Sequence, residues 1–182
     1  EGRFVREAET DEIGEVCIKG PNVFKGYADE KQNERIWPLP GWFNTGDLGR
    51  QDKDSHIWLT GRKKELIIRG GHNIDPAMIE EPLYKMPEVK IAAAVGSPDP
   101  HAGEIPVAYV ELKEGVQIDE AKILDYLKKE VPERAAVPKQ VFILPQMPLT
   151  PIGKVFKPAL RRDSIRRVYA RELSSLQGMI EK

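Results

Sequence analysis

From residue 62 onward, short apolar runs alternate with amphipathic stretches, and that alternation commits this part of the chain to strands interleaved with helices. Glu65–Arg69 reads as a short strand that stops at Gly70-Gly71. Asp75-Pro76 opens a helix, since Asp accepts from free N–H groups and Pro suits a first helical position. Met78, Ile79, Pro82, Leu83 and Met86 then recur at helical spacing. Ile91–Val95 reads as a buried strand and Ile105–Leu112 as another, whose early Pro106 points to a sheet edge or a strand start. Asp119 caps a helix with Ile123, Leu124, Leu127 and Val131 on one face. Gln140–Leu144 is a further strand. After Pro158 a long polar helix carries Ile165, Val168, Tyr169, Leu173, Leu176 and Ile180 as its stripe. The expected fold is α/β (α+β), a small lid-like domain of a short sheet with flanking helices over residues 62–182.

Residues 1–61 are built differently. Gly14–Gly20, Trp42-Phe43 and His56–Thr60 are short strands, separated by Gly20-Pro21-Asn22, Pro40-Gly41 and Thr45-Gly46-Asp47, all turn material. Strands this short need partners. This segment is therefore expected to be the β-rich tail of a larger domain. Composition removes several classes. Twenty-eight Lys+Arg against 29 Asp+Glu leave a net charge of −1, which argues against nucleic-acid binding by bulk positive charge. A single cysteine, Cys17, excludes an internal disulfide or thiolate metal cage and points to a reducing compartment, the cytoplasm. His56, His72 and His101 lie far apart without ligand spacing, so no protein metal site is expected.

Three short constellations carry chemistry. Pro148-Leu149-Thr150-Pro151-Ile152-Gly153-Lys154 is a tight loop presenting one lysine, a compact charge suited to a phosphate or carboxylate. It is no nucleotidase phosphate loop, because Pro148 and Val155 stand where Gly and Ser or Thr are required. For the loop alone, a surface turn with a solvated lysine is the favoured reading. Asp47, closing Trp42-Phe43-Asn44-Thr45-Gly46-Asp47, could accept from a ribose diol or satisfy its own backbone. Gly61-Arg62-Lys63-Lys64-Glu65 is a basic turn in which Arg62 could pair with a nucleotide or carboxylate. Lys64 stands where the two patterns meet, a place suited to a hinge.

Taken in order, these blocks resemble the adenylate-forming acyl-CoA synthetase (AMP-binding) superfamily. The likeness is carried by Gly14–Tyr27, Gly41–Leu48, Gly61–Gly71 and Pro148–Lys154, with Val95-Gly96-Ser97-Pro98-Asp99 and Gly103-Glu104 as a further stretch. It implies an enzyme that joins a carboxylic acid, by overall likeness a fatty acid, to CoA through an acyl-adenylate, using ATP and Mg²⁺. It also implies roles. Asp47 would hold the ribose hydroxyls, with Arg62 beside the nucleotide. Lys64 would be the hinge, and Gly70 and Gly71 would line the pantetheine tunnel. Lys154 would bridge the carboxylate and the α-phosphate. The phosphate loop, the acyl pocket and the glutamate that holds Mg²⁺ belong to a larger domain whose motifs are absent from this sequence. The chain alone is therefore expected to be inactive. Where many relatives carry Tyr-Lys, this chain has Ala135-Ala136, and Arg134 could substitute. Lys154–Arg171 is locally basic, suiting a CoA 3′-phosphate, an anionic membrane face or plain solvent. Two rivals share features of this sequence: an acyl-AMP ligase that loads a carrier protein, and a non-catalytic binding module.

Overall fold

The computed structural model describes residues 3–180, with side chains through Ser174, so Leu176 and Ile180 of the expected stripe lie outside the described side chains. The chain forms two compact units, Glu1–Lys64 and Glu65–Lys182.

The first unit holds a three-stranded antiparallel sheet in the order β1 (Gly14–Ile18), β2 (Phe43–Gln51) and β3 (Ile57–Arg62). Thr45-Gly46-Asp47 was expected as a turn; it lies inside the nine-residue β2 instead. The local chemistry that mimics a turn is nonetheless present. Asn44 Oδ1 accepts from the Gly46 N–H at 2.8 Å, Thr45 Oγ1 accepts from the Asp47 N–H at 3.1 Å, and Gly46 has φ 76°. The ladder absorbs this irregularity, with a register shift at Leu48/Gly49.

The second unit is one sheet covered on both faces. Its strands are β4 (Ile67–Arg69), β5 (His72–Ile74), β6 (Val89–Asp99), β7 (Gly103–Leu112) and β8 (Gln140–Ile143). The order is β5-β4-β7-β6, with β8 running parallel to β7. Pro106 does not mark an edge: β7 is the central strand. The proline sits at the seam where β7's partner changes from β4, paired at Gly103, to β8, paired from Val107, and its carbonyl still accepts from the Lys139 N–H at 2.9 Å.

The period-two alternation of β6 and β7 divides the core. Ala92, Ala94, Ala108 and Val110 face α1 (Ala77–Lys85) and α2 (Glu120–Glu130), where Ile79, Leu83, Ile123 and Leu127 are fully buried. Ala93, Val95, Val107 and Tyr109 face the other way, with Met147 and Leu160 of α3 (Lys157–Ile180). Asp119 caps α2 as expected, accepting from the Lys122 N–H at 2.7 Å. Asp75, two residues before α1, accepts from the Ala77 N–H at 2.9 Å, Pro76 takes the cap position rather than the first helical one, and Pro82 is buried within that helix. The expected stripe of α3 is corrected. Tyr169 is 64% and Leu173 61% exposed and Ile165 is exposed as well, whereas Val168 is half-buried; Leu160 and Ser164, a turn apart, meet the sheet at 1% each. Among the described residues no helix is long and apolar enough to cross a membrane.

Candidate functional site

In the first unit, Asp47 on β2 stands directly opposite Arg62 on β3. Asp47 Oδ1 accepts from Arg62 Nε at 2.7 Å. Among the described residues Oδ2 has no hydrogen-bond partner, so a half-buried carboxylate keeps one oxygen for an outside donor. The surroundings hold β2 and β3 in place. Thr45 Oγ1 donates to the Val16 carbonyl at 2.9 Å, and Glu15 takes Asn44 Nδ2 at 2.6 Å and Lys63 Nζ at 2.5 Å. Burial opposes the Glu15 charge, but those two donors outweigh it and hold the carboxyl below its ordinary range. Lys64 is exposed in the 3-10 turn Lys63–Glu65 that follows β3.

The second unit places two loops. Gly70 and Gly71 form the turn between β4 and β5, with φ of 55° and 88°. A Cβ at either position would meet open space, so the backbone conformation rather than crowding within the chain demands glycine there. The turn is braced by the Gly70 N–H donating to the Ala102 carbonyl at 2.8 Å, and the Asp99 carboxylate in turn accepts from the His101 and Ala102 N–H groups.

Lys154 sits at the end of a closed hairpin. Leu149 pairs with Val155, and the Phe156 N–H donates to the Pro148 carbonyl at 2.8 Å. At the tip the Thr150 N–H donates to the Lys154 carbonyl at 2.7 Å, Thr150 Oγ1 accepts from the Lys154 N–H at 3.1 Å, and Gly153 turns the chain with φ 79°. The loop satisfies its own backbone and leaves the Lys154 side chain exposed. The predicted site residues thus fall into one pair, Asp47 with Arg62, the exposed Lys64, and two separate loops.

Sequence reasoning missed several groups. Lys157 Nζ lies 2.7 Å from Glu65 Oε2 and 2.9 Å from Glu80 Oε1; these residues are distant in sequence, and no local spacing signals them. Asp52, Asp54 and His56 bring potential ligand atoms within 4.8 Å of one another, in a turn overlooked because only histidine spacing was weighed. Asp52 accepts from the Asp54 and His56 N–H groups and from Trp58 Nε1, so the hydrogen bonds of a turn account for the closeness of these side chains. The basic run of α3 is also less free than its composition suggests. Arg166 and Arg167 both bind Asp163, Lys157 is held as above, and Arg161 pairs with Glu104. At the Ala135-Ala136 departure, Ala136 is buried and the Ala135 carbonyl accepts from Arg69 at 2.5 Å, so this spot is used for packing.

Residues 78–154 match the AMP-binding enzyme C-terminal domain. The chain is 50% identical over 172 residues to marinolic acid–CoA ligase of Pseudoalteromonas sp. (strain SANK 73390), covering 94% of this chain and 26% of that protein. It is 40% identical to indoleacetate–CoA ligase of Aromatoleum aromaticum, covering 87% of this chain and 30% of that one. Among solved structures, ATP-bound MatB from Rhodopseudomonas palustris superposes with a TM-score of 0.79 at 37% identity, covering 87% of this chain and 31% of that chain. The chain thus spans between a quarter and a third of the length of these relatives.

Proposed function

The chain belongs to the adenylate-forming acyl-CoA synthetase superfamily, and on that premise we propose that it supplies the adenylating lysine, the hinge and the CoA-facing turn of an AMP-forming acid–thiol ligase. In the first half-reaction a carboxylate oxygen attacks the α-phosphorus of ATP, the α–β P–O bond breaks, and pyrophosphate leaves. Two anions must meet, and the Lys154 ammonium offsets their repulsion and stabilises the charge that develops on the α-phosphoryl oxygens. Asp47 accepts from the ribose hydroxyls through the oxygen that Arg62 leaves free. In the second half-reaction the CoA sulfur attacks the acyl carbon and AMP leaves. The turn at Gly70 and Gly71 borders the pantetheine path, and the chain pivots at Lys64 so that one loop replaces the other. Mg²⁺ would accompany ATP, held by the glutamate expected of the larger domain, where it would offset the charge of the phosphates.

The observation that carries this proposal is the Lys154 hairpin, which closes its own hydrogen bonds and turns the ammonium outward. A binding module has no use for that arrangement together with the Asp47–Arg62 pair. The acid is proposed to be a medium- or long-chain fatty acid on overall likeness of the motifs, and the acceptor to be CoA rather than a carrier protein. The test is AMP release by the full-length enzyme across acids of graded chain length, with and without CoA. Lys154→Ala is expected to slow acyl-adenylate formation on the order of a hundredfold or more. Asp47→Ala is expected to weaken ATP binding. An unchanged adenylation rate in Lys154→Ala overturns the proposal. The chain by itself, which lacks a phosphate loop, is expected to show no ATP–pyrophosphate exchange.

A further inference from the structure

The Lys154 hairpin runs directly into α3, whose first two turns carry Lys157 and Arg161, four residues apart and on one face. Only 18% of the Lys157 side chain is exposed, and its ammonium is shared between Glu65, which precedes β4, and Glu80 on α1. Glu80 Oε1 also accepts from the Ala94 N–H on β6 at 2.8 Å. Arg161 pairs with Glu104 on β7 at 3.5 Å, and Glu104 Oε2 accepts from the Ile68 N–H on β4 at 3.0 Å. Two cations just beyond the hairpin therefore reach one helix and three strands. Burial pulls the Lys157 ammonium toward neutrality, but Glu80 and Glu65 outweigh it and raise its pKa, so the charge persists at neutral pH. Such a network is weak evidence for stability, because apolar residues can fill the same space at equal or lower cost. A charge shared between two carboxylates supplies what a methyl group does not, a fixed direction for the segment that bears it.

We propose that Lys157 is a positioning residue for Lys154: anchored to Glu65 and Glu80, it fixes the base of the hairpin so that the ammonium three residues earlier is delivered at a set distance and angle. This inference rests on the adenylating role of Lys154 proposed above.

The test is a double-mutant cycle on ATP–pyrophosphate exchange in the full-length enzyme, with Lys157→Met, Lys157→Arg, Lys154→Ala and the double variant, each also followed by thermal melting. Lys157→Met is expected to slow turnover about tenfold to a hundredfold with the KM for ATP within about twofold, the pattern of a misplaced group. Lys157→Arg, which keeps the charge, is expected to recover the rate to within about threefold. In the Lys154→Ala background, Lys157→Met is expected to cost less than about twofold, because the residue it positions is gone. A loss of equal size in both backgrounds, or no loss beside Lys154, overturns the positioning role. A Lys154→Ala enzyme as fast as the parent overturns the function proposal instead, and this one with it. Should Lys157→Met not fold, Glu65→Gln leaves Glu80 beside the ammonium and must show the same non-additivity; additivity there overturns the role too.

Discussion

Gly96 exists because Glu104 stands above it. A Cβ at position 96 would lie 2.3 Å from Glu104 Oε2, the oxygen that takes the Ile68 N–H. The carboxylate is the end of a flexible side chain and can swing aside, so the cost is the interactions it abandons rather than a backbone clash. Gly96→Ala is expected to lower stability by about 1–3 kcal/mol, the range for a deserted polar partner. Combined with Glu104→Gln it should cost less than the sum of the two single changes in denaturant titration. A buried acid, Glu111, sets a pH dependence. Lys90 Nζ and the Met147 N–H both donate to Glu111 at 2.5 Å and hold its carboxyl below the ordinary range. A depressed folded pKa contributes stability that is fully present above the ordinary carboxylate pKa of about 4.3 and is lost as pH falls through the folded value. Glu111→Gln should therefore reduce stability at neutral pH and flatten its decline on acidification, as read by melting temperature between neutral and acid pH.

Among elements, α3 teaches most about what a sequence discloses. Of the apolar residues that recur at a helical period, Ile165, Tyr169 and Leu173 are exposed and Val168 is half-buried, while the face that meets the sheet is Leu160 and Ser164. Periodicity reports that a helix is amphipathic but not which stripe finds a sheet. The buried face also carries Lys157 and Arg161, whose ionic partners lie on other elements and leave no local trace in the sequence. The consequence is measurable: Leu160→Ala should destabilise by about 2–5 kcal/mol as a cavity in the cluster with Val95, Val107 and Tyr109, whereas Leu173→Ala should fall within about 0.5 kcal/mol. Similar losses at both positions would refute that assignment of faces. The capped helix α2 was legible because Asp119 and its apolar spacing act within a few residues. Pro106 misled for the opposite reason: a proline is excluded from a central strand only where its N–H is needed, and the seam between β4 and β8 lies at that residue. The sequence offers Asp47, Arg62, Lys64, Gly70, Gly71 and Lys154 as candidates because each lies in a short ordered motif. The direct Asp47–Arg62 pairing follows from strand register, which the sequence did not reveal.

At the scale of the whole chain, burial is distributed very unequally. Residues 65–182 bury two clusters, one on each face of a single sheet. In residues 1–64, Gly49 is the only buried position among the described residues. Ile57, Trp58 and Leu59 along β3 are each more than half exposed. The first unit does gather aromatic side chains, with Phe24 at 4.9 Å from Tyr27 and 5.0 Å from Phe43 between ring centroids, but such pairs contribute only about 0.5–1.5 kcal/mol each. Ordering a residue costs on the order of 1–2 kcal/mol of backbone entropy, and a three-stranded sheet with its apolar side chains in water has little to set against that. The second unit has a core that can meet the cost by itself. Residues 65–182 expressed alone are therefore expected to unfold in one cooperative transition, with calorimetric and van't Hoff enthalpies in agreement. Residues 1–64 alone should show no such transition and only weak near-UV circular dichroism. A cooperative melt of residues 1–64 in isolation would mean that the aromatic cluster and the β1–β3 ladder suffice, and that this sheet needs no further surface to fold against.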